Sequence, residues 1–134
     1  MNNHVYFKTD RFNTSEVKPH FINDRCFGED LGAWFASRLA ERDVLCRPLI
    51  QEDWGWSLPV SLEHRRFYIN IGVADGPSGP TNPPVWLAWV EARAGLMARI
   101  LGRTSNSQQR ALCDHLNAIL AAEPTISAIE WSSG

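Results

Sequence analysis

The stretch Trp54-Gly55-Trp56-Ser57-Leu58-Pro59-Val60-Ser61-Leu62-Glu63-His64-Arg65-Arg66-Phe67-Tyr68-Ile69-Asn70-Ile71-Gly72-Val73 decides the fold. In its first half Trp54, Trp56, Leu58, Val60 and Leu62 alternate with Gly55, Ser57, Pro59 and Ser61. In its second half Phe67, Ile69, Ile71 and Val73 alternate with Tyr68, Asn70 and Gly72. A period of two gives each run one apolar face and one small or polar face, as a half-buried strand requires. The polar Glu63-His64-Arg65 joins the runs, so the pattern predicts a β-hairpin.

The neighbouring segments extend the sheet. Residues 44–50 read as a strand, with Pro48 marking an edge or an irregular position. Residues 75–84 are almost all turn formers and read as a surface loop. Val85-Trp86-Leu87-Ala88-Trp89-Val90 is apolar on both faces, which predicts a strand covered on both sides or helped by a loop on its outer face. A first strand is read near 4–10 and a short last one through Ile126, Ile129 and Trp131. Two segments have helical spacing. In 29–42, Leu31, Trp34, Phe35 and Leu39 share a face, with Glu29 and Asp30 at the positive end of the helix dipole. In 106–122, Leu112, Leu116, Ile119 and Leu120 share a face and Pro124 stops the run. A short helix is expected at 94–102, and Ser105 with Gln108 fits a capping box. Residues 11–27 have no period, but Phe12, Phe21, Ile22 and Phe27 predict a connection packed against the body. The expected architecture is α+β: a mostly antiparallel sheet of about five or six strands with two main helices packed on one face, in a single domain over 1–134.

Composition narrows the function. The 134 residues carry 13 Lys+Arg and 15 Asp+Glu, a net charge of −2 that argues against a broad nucleic-acid surface. No apolar run reaches the roughly 20 residues of a membrane span. The beginning of the chain reads as carrying no secretion signal, so a cytoplasmic location is expected. Cys26, Cys46 and Cys113 are widely spaced and read as free, structural thiols. His4, His20, His64 and His115 share no metal-ligand spacing, so neither a metal nor a cofactor is expected. Phosphate-loop, nucleophile-elbow and kinase signatures are missing. Six tryptophans are many for this length and supply either core area or binding anchors.

Two segments are candidates for a site. In Gln51-Glu52-Asp53-Trp54-Gly55-Trp56, two carboxylates and an amide precede two tryptophans. If the alternation ran back unbroken, Glu52 would share a face with Trp54 and Trp56 and need a partner such as Arg25, Arg38 or Arg66. A bulge at Gly55 would instead reset the register. The other segment, 20–30, sets polar groups including Arg25 just before a helix N-terminus, where backbone N–H groups can hold an anion. The candidate binding residues are therefore Glu52, Asp53, Trp54, Trp56, Arg25 and Glu29. An acid/base pair of Glu52 with Glu29 or Asp30 is a further option.

The strings Cys26-Phe27-Gly28-Glu29-Asp30, Gln51-Glu52-Asp53-Trp54-Gly55-Trp56 and Trp86-Leu87-Ala88-Trp89-Val90-Glu91 resemble a group of small uncharacterised bacterial proteins. The resemblance covers most of the chain and implies a bacterial, intracellular, single-domain protein, with no catalytic residue to carry over. The size, acidity and missing catalytic set also look like those of bacterial toxin-immunity proteins. The sequence thus leads to a non-enzymatic module that binds another protein, immunity- or adaptor-like. The alternative is a small-molecule-binding protein or enzyme with its site between residues 20–30 and 51–56. No nucleic-acid or membrane partner is expected, and the oligomeric state is left open.

Overall fold

The computed structural model describes residues 2–76, 79–93 and 107–134. Among these residues seven strands and two helices follow in the order β1 (His4–Lys8), α1 (Glu29–Ala40), β2 (Leu45–Cys46), β3 (Ile50–Glu52), β4 (Gly55–Leu62), β5 (Arg65–Ala74), β6 (Val85–Ala92), α2 (Ser107–Ala121) and β7 (Ser127–Ser132). The expected helix at 94–102 and the Ser105 capping box lie outside the described residues.

All strands join one antiparallel sheet in the order β2-β4-β5-β6-β1-β7, with β3 also paired to β4. The central hairpin forms where the alternation places it. Trp56 faces Ile71, Leu58 faces Ile69 and Val60 faces Phe67. The same face continues through Ile69↔Val90 and Ile71↔Ala88 into β6, and through Val5↔Ala88 and Phe7↔Trp86 into β1. Against it pack Leu31, Phe35 and Leu39 of α1 and Leu112, Leu116 and Leu120 of α2, all fully buried. Helix α1 lies over β2 and β4, and α2 over β6 and β7. The fold is thus α+β, with both helices on one face of the sheet.

The strand expected at 44–50 is two strands. From Cys46↔Val60 to Ile50↔Ser57 one side advances by four residues while β4 retreats by three. The surplus residue makes a bulge at Pro48-Leu49, where proline has no N–H to give to the ladder. This bulged margin also gives other chains a poor template for edge pairing.

The turn of the central hairpin is tighter than its composition indicates. Leu62 pairs with Arg65, leaving only Glu63 and His64 in the loop, with φ of 50° and 67°. Two positive φ values in a two-residue loop match a turn whose twist suits the flanking strands, yet neither residue is the Asn or Gly that such turns prefer. The connection from β1 to α1 packs as expected. Phe12 sits 5.5 Å from Trp34 and edge-on to Trp86 at 6.3 Å, and Asp30 accepts the Asn13 N–H at 2.8 Å. No described helix is long and apolar enough to cross a membrane.

The helices are tied at the end of α1, where Arg42 Nε donates to His115 Nδ1 at 2.8 Å. Burial and then the Arg42 guanidinium push the His115 pKa below its ordinary 6.5, against the opposing pull of Asp114. Glu123 is lowered from 4.5, chiefly by the hydrogen bond from Thr125.

Replacing the turn by Asn-Gly (Glu63→Asn with His64→Gly) raises stability by about 1 kcal/mol, read as a higher urea midpoint at unchanged slope. For His115, a depressed folded pKa means the unfolded chain takes up the proton more readily. The His115 contribution is therefore complete above pH 6.5 and lost as pH falls through its lowered value. Thermal melts of His115→Gln should lose less stability than the wild type just below pH 6.5, while the Glu123 contribution fades separately below pH 4.5 in both proteins.

Candidate functional site

The two candidate segments come together. Residues 20–26 run alongside the β3–β4 hairpin and are bonded to it step by step. Gln51 accepts the Ile22 N–H at 2.7 Å and donates to the His20 carbonyl at 3.1 Å. Asn23 donates to the Asp53 carbonyl at 2.9 Å. The Cys26 thiol donates to the Glu52 carbonyl at 2.9 Å, and the Trp56 indole N–H donates to the Cys26 carbonyl at 2.8 Å. Phe21 fills the angle, edge-on to Trp56 at 6.1 Å and to Phe27 at 6.0 Å.

The alternation does not extend back through Trp54. Glu52 pairs with Gly55, so Asp53 and Trp54 form the tip of a two-residue turn. Gly55 permits it. Its φ is 152°, and a Cβ there would overlap the carbonyl oxygen of Ile71. The two tryptophans consequently part ways. Trp56 goes into the interior with 5 % exposure. Trp54 keeps 42 % exposure and leans on Trp89 of β6 with ring centres 4.9 Å apart. Trp89 shares a row on the outer face with Asn70 and His4, and the His4 ring stacks on it at 6.0 Å. This accounts for the two-sided apolar pattern of β6: Trp86, Ala88 and Val90 face the core, and a hairpin tip leans on the outer side.

Beside Trp54 lies a cleft of about 460 Å³ lined by Arg25, Phe27, Asp53, Trp54, Val73, Asp75 and Pro80. Phe27, Trp54, Val73 and Pro80 give apolar walls, and the charges stand around them. Arg25 Nη2 and Asp75 Oδ2 form a 2.8 Å ion pair between partly exposed side chains, where such pairs add little stability. The Asp53 carboxylate has no hydrogen bond or ion pair among the described residues.

Three of the residues read from the sequence, Arg25, Asp53 and Trp54, therefore share this cleft, and three do not. Glu29 bonds His20 at 2.8 Å. Trp56 is a core residue. Glu52 offers its main-chain carbonyl to Cys26, while Gln51 and not Glu52 stands opposite Trp56. The arginines weighed as partners of Glu52 are engaged elsewhere or distant: Arg25 holds Asp75, Arg38 holds Glu41 at 3.1 Å, and Arg66 begins the far end of β5. The α1 N-terminus already has Glu29 and Asp30 in its first turn, and Asp30 also accepts the Leu31 N–H at 2.9 Å. The Asp30 carboxylate thus already takes a backbone N–H that an anion would use, and Glu29 adds a second negative charge beside it. Asp75, Val73 and Pro80 were not legible as site residues, because only the end of β5 and the following loop bring them to the turn.

The described lining offers no hydroxyl, thiol or imidazole as a nucleophile or general base. The three cysteines are free thiols. Burial raises the Cys26 pKa and pushes Cys46 and Cys113 up to about 11, leaving little thiolate near neutrality. Among the described residues no cluster of His, Cys, Asp or Glu is placed to hold a metal ion. The arrangement defines an open, mixed-charge cleft with an aromatic rim on an antiparallel α+β fold. No family model matches the chain, and neither a curated protein nor a solved structure matches it.

The Gly55 backbone makes the hairpin tip sensitive to one methyl group. Gly55→Ala should lower stability by roughly 2–4 kcal/mol through forced φ and backbone overlap. Urea denaturation checks this, and a loss below about 0.5 kcal/mol, ordinary for a neutral surface change, contradicts the account.

Proposed function

We propose that this chain is a non-enzymatic protein-binding module, immunity- or adaptor-like, whose recognition site is the cleft at the β3–β4 turn. One observation carries the reading: Trp54 is a half-exposed tryptophan on a tight two-residue turn, braced by Trp89 and flanked by Arg25 and Asp53. Tryptophan and arginine dominate the energetics of protein interfaces, and a pre-ordered anchor loses little entropy on binding. The matching partner surface seats an apolar side chain against Trp54 and brings a cation to the Asp53 carboxylate. Three cysteines without a disulfide support a reducing, cytoplasmic setting, and the resemblance to small bacterial proteins supports a bacterial source. The acidic balance supports a protein rather than a nucleic acid as partner.

The cleft volume of about 460 Å³ favours one alternative, a small-molecule ligand in the same place, since such sites occupy about 300–1,000 Å³. Affinity capture from the source cell with wild type and Trp54→Ala, followed by titration of the purified partner, separates the two. The expected result is one partner whose Kd rises at least about thirtyfold in Trp54→Ala while the melting temperature is unchanged. Equal affinity for both proteins overturns the assignment. Native mass spectrometry showing a small molecule retained by wild type and lost in Trp54→Ala, with no protein captured, supports the alternative.

A further inference from the structure

A second depression lies at the other end of the β4–β5 hairpin, roughly 20 Å along the strands from the Trp54 cleft at about 3.3 Å per residue. It has a volume of about 230 Å³, and Arg47, Arg66 and Arg93 are all in its lining. The sheet register gathers them. Arg66 faces Ser61 across β4–β5, and the Arg93 N–H donates to the Arg66 carbonyl at 2.8 Å, so the β5–β6 pairing continues and sets the two arginines opposite each other. Arg47 joins from the neighbouring row, its N–H donating to the Pro59 carbonyl at 2.9 Å just before the Pro48-Leu49 bulge.

Like charges directly opposite on adjacent strands oppose folding unless something neutralises them. The protein does not supply that here. Arg11, Arg25 and Arg38 each pair with a carboxylate, whereas among the described residues none of Arg47, Arg66 and Arg93 has an ion pair or a side-chain hydrogen bond. No Asp or Glu lines the depression. Glu91, two residues before Arg93, accepts the Trp89 indole N–H at 3.1 Å and is not in the lining. The segments 77–78 and 94–106 contain no acidic residue that could serve. Three exposed arginines thus line one hollow in a chain whose net charge is −2.

We infer that this hollow binds the phosphoryl group of a small phosphate monoester. A guanidinium fork matches phosphate oxygens two at a time, and a dianion with three terminal oxygens accommodates three forks, which a lone carboxylate does not. The Tyr68 ring and Ile50, itself 44 % exposed, give the ester's organic part an apolar wall. The volume is below the range usual for drug-sized ligands and fits a compact molecule. Arg47 is held on the last regular rung of the ladder, and the bulge follows at once at Pro48, which also lines the hollow; bulges commonly lie next to sites.

Calorimetric titration and thermal melts of the full chain with phenyl phosphate, inorganic phosphate and benzoate test the inference. The expected order of affinity is phenyl phosphate, then inorganic phosphate, then benzoate, at physiological ionic strength. Arg66→Gln and Arg93→Gln each weaken phenyl phosphate at least tenfold, yet melt no lower than wild type without ligand because the repulsion is relieved. Tyr68→Leu weakens phenyl phosphate and leaves inorganic phosphate unchanged. Trp54→Ala leaves all three affinities unchanged, so failure here and failure of the Trp54 reading are told apart. Binding of benzoate as tight as that of phenyl phosphate, unchanged affinity in both arginine variants, or no binding of either phosphate at 10 mM (a concentration roughly at the weak end of specific affinities) overturns it.

Discussion

The buried hydrogen bond from the Trp56 indole to the Cys26 carbonyl, 2.8 Å long, is the constraint on which the rest depends. It satisfies two polar groups in the interior and fixes a long aperiodic connection to the central sheet. Because the bond holds residue 26, helix α1 starts where its Leu31, Phe35 and Leu39 reach the core. Because residues 20–26 are thereby laid along the β3–β4 turn, Arg25 stands beside Asp53 and Trp54. Core packing and the candidate binding cleft are two sides of one attachment. The surrounding bonds of Gln51 and Asn23 repeat the attachment at the surface, where each contributes less, and the buried Cys26 thiol repeats it inside.

The sheet separates two kinds of surface. At one end of the β4–β5 hairpin an aromatic rim carries mixed charge, and at the other end three arginines share a hollow. Both ends are shaped by a departure from regular strand geometry, a tight turn before Gly55 and a bulge at Pro48-Leu49. The regular part between them holds the core and offers little for recognition. Regular pairing uses up the backbone polar groups and alternates the side chains, so distinctive chemistry collects where the pattern breaks.

Most of the architecture was legible in the sequence because the signals were periodic. The alternation in 56–73 and the apolar stripes of α1 and α2 each specify one buried face, and the structure uses those faces. What was not legible came from breaks in period or from distance along the chain. Trp54 and Trp56 look like consecutive members of one alternating strand, yet a two-residue turn ends between them. The string 44–50 reads as one strand, because a bulge adds a residue without changing composition. Arg25, Asp53 and Trp54 could be named, since each lies in an unusual string, but Glu52, Glu29 and Trp56 were grouped with them by proximity in sequence alone. Asp75 was hidden in a turn-rich loop. The Arg47, Arg66 and Arg93 grouping depends on pairing register, which no local pattern encodes.

Strand β1 lies between β6 and β7, its partners drawn from residues 85–92 and 127–132. The β3-β4-β5-β6 meander joins neighbours in the chain and closes short loops, whereas β1 must find strands made long after it. Such non-local pairing slows folding, and while β1 lacks its partners both of its hydrogen-bonding edges and its Val5 and Phe7 side chains stay open to other chains. During synthesis on a ribosome β1, made before the other described strands, is therefore the last of them to be enclosed, and the sheet has no finished edge on that side until β7 emerges.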